Sequence, residues 1–249
     1  MIRTTIIAAS ILLLAAAAGC GRSYSITEMT REELEEAAEA AFATGRYRAA
    51  EDLYTGLMYR FPGAAHTDMY LYRLSLSQME LGLWADAEFG LRRLVRDFPR
   101  SAYADDGQLA LARLFWAQHR DYRKDTTPVE SAMTELAAFY DRYPGSELAD
   151  DADSLRARIY DLLARRALFI GRFYARRDRH DAALLYLNEA MSRYGETDWK
   201  ADILIQMAQS NYAQGNEFSA ERLYRRARDE CDLSPQQERT VEEGLARIR

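Results

Sequence analysis

The chain has 249 residues and a formal charge of −6, from 33 Lys+Arg against 39 Asp+Glu, with five prolines, thirteen glycines, two cysteines and three histidines. An acidic balance argues against a dedicated nucleic-acid binder, which needs a net basic face, and two cysteines cannot build a disulfide framework. His66, His119 and His180 stand far apart without metal-ligand spacing, and no Ser-His-Asp, Cys-His or nucleophile-elbow pattern occurs, so no enzyme, metal, cofactor or small-molecule substrate is expected.

Residues 1–19 combine Arg3, an apolar run from Ile6 to Ala18 and small residues at its end, the composition of a secretory signal peptide too short to span a bilayer. The run closes on Ala17-Ala18-Gly19-Cys20, which resembles the bacterial lipobox with Ala17 where leucine is usual. That resemblance implies lipidation of Cys20, which becomes the mature N-terminus on a membrane facing the periplasm. The other reading is a plain cleaved signal that leaves Cys20 free or oxidised. Each acyl methylene contributes roughly 0.8 kcal/mol of anchoring, so several chains hold firmly. Gly21 stands where an inner-membrane retention signal carries aspartate, which points to the outer membrane. Residues 20–29 then form the anchor and tether, and the chain beyond Gly19 loses Arg3 and no acid, for a formal −7.

A ladder of fixed spacing follows. Gly45, Tyr47, Ala50, Tyr54, Leu57 and Phe61-Pro62 recur as Gly82, Trp84, Ala87, Leu91, Leu94 and Phe98-Pro99. This is the helix-turn-helix spacing of a tetratricopeptide repeat. Glycine ends the first helix in a left-handed conformation, the aromatic plugs the turn, alanine lets the helices approach, and proline stops the second helix. Each pair must stack on a neighbour to bury its apolar face, which makes the array a solenoid.

Three looser units come next. The third ends in Ala132, Leu136, Phe139 and Tyr143-Pro144, its turn replaced by a polar insertion from about Gln118 to Pro128. The fourth carries Gly171 and Tyr174, then Ala183, Leu187, Ala190 and Tyr194-Gly195; the fifth carries Gly215, Ala220, Tyr224, Ala227 and Cys231. Capping-box patterns open the array at Thr30-x-x-Glu33 and the last helix at Ser234-Pro235-x-Gln237. From Glu147 to about Arg177 there is no proline and one glycine, so the first helix of the fourth unit should be unusually long and project beyond the array. The expected organisation is all-α: five helix pairs and a C-terminal capping helix, with repeats 1–3 in 30–145 and repeats 4–5 plus the cap in 146–249.

In order and length these features resemble the BamD family, lipoproteins of the outer-membrane β-barrel assembly machine. The phrases that carry the resemblance are Phe98-Pro99-Arg100-Ser101-Ala102-Tyr103-Ala104-Asp105, Tyr143-Pro144-Gly145-Ser146 running into Ala149-Asp150-Asp151-Ala152, and the stretch Asp125–Tyr143. The resemblance implies a non-catalytic scaffold on the periplasmic side of the outer membrane that binds unfolded outer-membrane proteins and a BamA-type subunit. The competing function is a repeat lipoprotein that scaffolds cell-wall synthesis or division proteins.

Two groups of side chains are candidates for binding. First helices should line the inner groove, which selects Tyr72, Leu76 and Met79 in the second unit and Leu109, Arg113 and Trp116 in the third. Such a groove suits an extended peptide with an aromatic and a carboxylate at its end, or else these residues pack between units. Arg158, Arg165, Arg172 and Arg179 recur every seven residues and Arg176 joins them, a cationic stripe suited to an acidic partner domain or anionic lipid heads, or else a solvated face balanced by Asp153 and Asp161. Asp105-Asp106 and Asp150-Asp151 fall at helix starts, where carboxylates favour the macrodipole. Cys231 is expected as a small buried residue, and His180 as the fourth unit's turn plug.

Overall fold

The computed structural model describes residues 26–248; the expected signal peptide, the expected lipidation site Cys20 and the first part of the expected tether lie outside them. Among the described residues every regular element is helical: α1 (Arg31–Ala43), α2 (Tyr47–Arg60), α3 (Thr67–Glu80), α4 (Trp84–Asp97), α5 (Ala104–Gln118), α6 (Thr127–Arg142), α7 (Ala149–Ala175), α8 (His180–Tyr194), α9 (Lys200–Ala213), α10 (Glu217–Glu230) and α11 (Pro235–Ile248). The chain divides into two compact units, one ending at Leu83 and one beginning at Trp84. The break expected at 145/146 lies inside the second unit.

Both predicted capping boxes form. The Thr30 amide donates to Glu33 at 2.8 Å while Thr30 Oγ1 accepts from the Glu33 amide, and Ser234 and Gln237 repeat the exchange at α11. The alanines of the ladder, Ala50, Ala87, Ala132, Ala183 and Ala220, are all fully buried, as close helix approach requires. Gly45, Gly82 and Gly215 take φ of 70°, 72° and 77°. The fourth unit has no glycine there, yet its turn is the same: Asp178, two residues before the plug His180, takes φ 56°. Aspartate tolerates this region better than most residues because its short side chain bonds locally.

In the first unit Leu34, Ala38, Ala50, Tyr54, Leu57 and Tyr70 pack α1, α2 and α3 into one core. The two buried tyrosines turn their hydroxyls to carboxylates of α1, Tyr54 to Glu39 and Tyr70 to Glu35.

The second unit has two cores joined by α7. Its first half supplies Ala152, Leu155 and Ile159 to a cluster with Leu109, Val129, Leu136 and Phe139 of α5 and α6. Its second half supplies Ala164 and Leu168 to a cluster with Leu187 of α8, Ile203 and Leu204 of α9 and Tyr224 of α10. The step from Ile159 to Ala164 is five residues, so the buried side moves to nearly the opposite face of the helix. The expected projection is therefore corrected: α7 has the predicted length, but it is packed along that length, and a Cβ at Gly171 would stand 2.8 Å from Leu187. The connections on either side of the α5–α6 pair repeat one device, in which Ser101 Oγ accepts from the Tyr103 amide and Ser146 Oγ accepts from the Leu148 amide. Ser146 also donates to Asp105 at 2.6 Å, linking the two.

Candidate binding cleft

The outward side of α7's first half forms the floor of an open cleft of about 920 Å³. Trp116, in the last turn of α5, enters it with His119 stacked on its ring at 3.8 Å. Arg158 also lies over the Trp116 ring, 5.4 Å from its centroid. One heptad on, Arg165 sits between two rings, 4.3 Å from Tyr122 and 5.3 Å from Trp199. Stacked guanidinium groups of this kind keep their in-plane donors free for a ligand while the rings hold their planes.

The insertion of the third unit supplies Tyr122 and is fastened from below. Arg166 donates to the Tyr122 carbonyl at 2.7 Å and the Lys124 carbonyl at 2.6 Å, and Tyr122 meets Phe169 edge-on at 5.8 Å. Within the loop Asp121 holds the Arg123 side chain and amide, and these bonds pull its carboxyl down to about 2. The rim is acidic: Asp153, Asp161, Glu196 and Asp198 face Arg156, Arg158 and Arg165. Asp153 is already engaged, accepting from Tyr140 at 2.6 Å and pairing with Arg156 at 2.9 Å. Burial and this carboxylate push the Tyr140 hydroxyl up to about 12.

The cleft thus unites residues drawn from both predicted groups, Trp116 from the groove set and Arg158 and Arg165 from the stripe. Others are placed elsewhere. Leu109 is fully buried in the core of the third unit and takes the packing role. Arg113 is exposed and pairs with Asp151 at 2.6 Å, tying α5 to the start of α7. Tyr72, Leu76 and Met79 are half-buried on α3, in the first unit. The stripe is not continuous: Arg172 pairs with Asp202 at 2.6 Å, Arg176 caps the C-terminus of α7, and Arg179 has left the helix altogether to stand before α8, 3.9 Å from Asp181. A seven-residue spacing marks one face only while the helix lasts, and α7 ends at Ala175. Sequence reasoning missed Tyr122 and Trp199; the aromatic inside an otherwise polar insertion was the available signal.

Glycine-turned helix pairs with buried alanines, carrying an aromatic and guanidinium cleft on a lengthened helix, define a tetratricopeptide-repeat protein. Residues 27–225 match the family YfiO, described as outer membrane lipoprotein, and the chain belongs to that family. Similar curated relatives are outer membrane protein assembly factors BamD: that of Xylella fastidiosa (strain Temecula1 / ATCC 700964) is 21% identical over 204 residues, covering 78% of this chain and 69% of the relative. The Pasteurella multocida protein is 24% identical, covering 72% of each chain, and the Caulobacter vibrioides protein 22% identical, covering 88% of this chain and 74% of the relative. Among solved structures, a thermophilic tetratricopeptide-repeat protein of Thermus thermophilus, TTC0263, is 20% identical with a TM-score of 0.39, covering 87% of this chain and all of that one.

Proposed function

We propose that this protein is an outer-membrane adaptor of β-barrel assembly, held on the periplasmic side by a lipid on Cys20 and acting by binding rather than by catalysis. The observation that carries this reading is a family match that runs through nearly the whole repeat array, with relatives named as assembly factors. The cleft supports it chemically. Trp116 and Tyr122 offer apolar platforms to an extended polypeptide, and Arg158 and Arg165 offer donors to its carbonyls and carboxylates. Unfolded outer-membrane proteins are the proposed clients, with Tyr72, Leu76 and Met79 a second contact on the first unit. A BamA-type subunit is the proposed partner, docking where Arg113 and Arg158 are exposed.

The test is an envelope pull-down of C-terminally tagged full-length protein in mild detergent, with mass spectrometry of the partners and of the N-terminal peptide. Recovery of a BamA-type barrel with a lipid-modified Cys20 supports the reading, and Trp116→Ala and Arg113→Glu should then separate client capture from partner docking. Recovery of wall synthases or division proteins without a barrel would replace it with the cell-wall scaffold.

A further inference from the structure

The second half of α7 carries a face that, among the described residues, is covered only in part, by the insertion of the third unit. In the first half Ala152, Leu155 and Ile159 are buried on one side of the helix against α5 and α6. That side continues, turn by turn, as Arg166, Phe169 and Phe173, with Arg176 and Arg177 just past the helix end, but α5 and α6 do not follow it. The burial has moved to the opposite side, toward Leu187 and Ile203. Only the insertion reaches the continued face, at Arg166 and Phe169. Phe169 and Phe173 are each 38% exposed, large rings open to solvent in part on a face whose earlier turns are core.

Charge on this segment is strongly one-sided. Between Arg165 and Arg179 there are six arginines and one acid, Asp178, in a chain that is acidic overall. Of these, Arg172 and Arg179 face carboxylates. Among the described residues Arg165, Arg166, Arg176 and Arg177 have no carboxylate within ion-pair distance, and Arg177 instead lies 3.7 Å over the Phe173 ring.

We propose that this face of α7 and the turn just past it rest on an anionic phospholipid surface, Arg176 and Arg177 taking headgroup phosphates while Phe173 and the open edge of Phe169 enter the boundary between headgroups and acyl chains. Two rings among cations are the pattern of an interfacial helix. A stable protein interface buries about 800 Å² in total on each side around an apolar centre, more than two partly covered phenyl groups supply. Arginine forks match phosphate oxygens, and each cation close to an anionic surface raises membrane partitioning about fivefold. The proposal needs only the membrane association that the family's lipoprotein character describes, and it stands or falls separately from the assembly reading.

The test uses full-length protein reconstituted from detergent into vesicles of phosphatidylcholine alone or of phosphatidylcholine with phosphatidylglycerol, with amide exchange read on the co-floating protein. The expected result is exchange at 165–179 slowed about tenfold on the anionic vesicles only, reversed by high salt. Arg176→Glu with Arg177→Glu, both exposed, should abolish the slowing, and Phe173→Ser should weaken it without changing the salt dependence. Equal exchange on both vesicles would overturn the proposal. So would protection that appears only when periplasmic domains of a partner protein are added, which would assign the face to protein.

Discussion

Glu135→Ala is the most informative single change in the second unit, because it breaks a network whose parts can be weighed. Glu135 is 8% exposed and Gln108 1% exposed. The carboxylate accepts from Gln108 Nε2 at 2.8 Å and from Arg92 Nη2 at 3.0 Å, while Gln108 Oε1 accepts from Arg142 at 3.2 Å. Gln108 also donates to the Glu135 carbonyl at 3.1 Å, and Arg92 keeps Glu88 at 2.8 Å, so neither loses every partner. Bonds to a charged group contribute about 1.5–3 kcal/mol, and a half-satisfied buried amide costs about 1–3 kcal/mol. The sum, after the bonds that survive, is about 3 kcal/mol, or a melting temperature lower by roughly 6–12 °C for a chain of this size. Replacing both partners, as Gln108→Leu with Glu135→Leu, should cost much less than the two single changes added, because no buried group is then left without a partner and Arg142, which is exposed, turns to water. Urea unfolding followed by far-UV circular dichroism measures Glu135→Ala and the four corners of the cycle, which are the wild type, Gln108→Leu, Glu135→Leu and the double variant. A loss below about 0.5 kcal/mol for Glu135→Ala, or strict additivity in the cycle, would refute the reasoning.

The remaining predictions are smaller in scope. Asp178→Gly should stabilise by about 0.5–1 kcal/mol, since it relieves a left-handed residue while losing only a 4.0 Å contact with His180, whereas Gly82→Ala should cost about 1 kcal/mol or more at φ 72°; denaturation midpoints decide both. Tyr140 should titrate near 12 by ultraviolet absorbance. Because its folded pKa lies above the ordinary value of about 10, the unfolded chain gives up this proton first, so the hydroxyl's contribution to stability is complete below about pH 10 and is lost as pH rises toward 12. Tyr140→Phe should remove one late-titrating phenol and flatten that part of the stability profile. Arg166→Ala should free the insertion, read as faster proteolysis between His119 and Thr126, with helix content unchanged by circular dichroism.

Much of the fold was legible because it rests on small, position-specific constraints. A fully buried alanine at each close approach and a left-handed glycine in the first, second and fifth turns meet requirements of backbone geometry, and they left a readable spacing even where the identities drifted. The fourth turn shows the limit: nothing in Asp178 announces a left-handed residue, and only its position before His180 gives it away. The cleft was half legible. Trp116, Arg158 and Arg165 stood out singly, but that they meet depends on how the insertion folds back, and that is set by Arg166 reaching two backbone carbonyls more than forty positions away in sequence.

The long helix carries the deeper reason. Its length follows from the absence of helix breakers, but its role depends on which side is buried, and the two halves disagree. A line through Ala152, Leu155 and Ile159 and a line through Ala164, Leu168 and Gly171 each have helical spacing, and the five-residue step between them is the only mark of the change. A helix buried on opposite sides in its two halves must leave two half-faces open. The first open half-face, at Arg158 and Arg165, became the floor of the cleft. The second, at Phe169 and Phe173, is uncovered beyond the insertion. The added length of α7 therefore joins two cores and at the same time creates two surfaces, one concave and one cationic, that a helix of ordinary repeat length would not have.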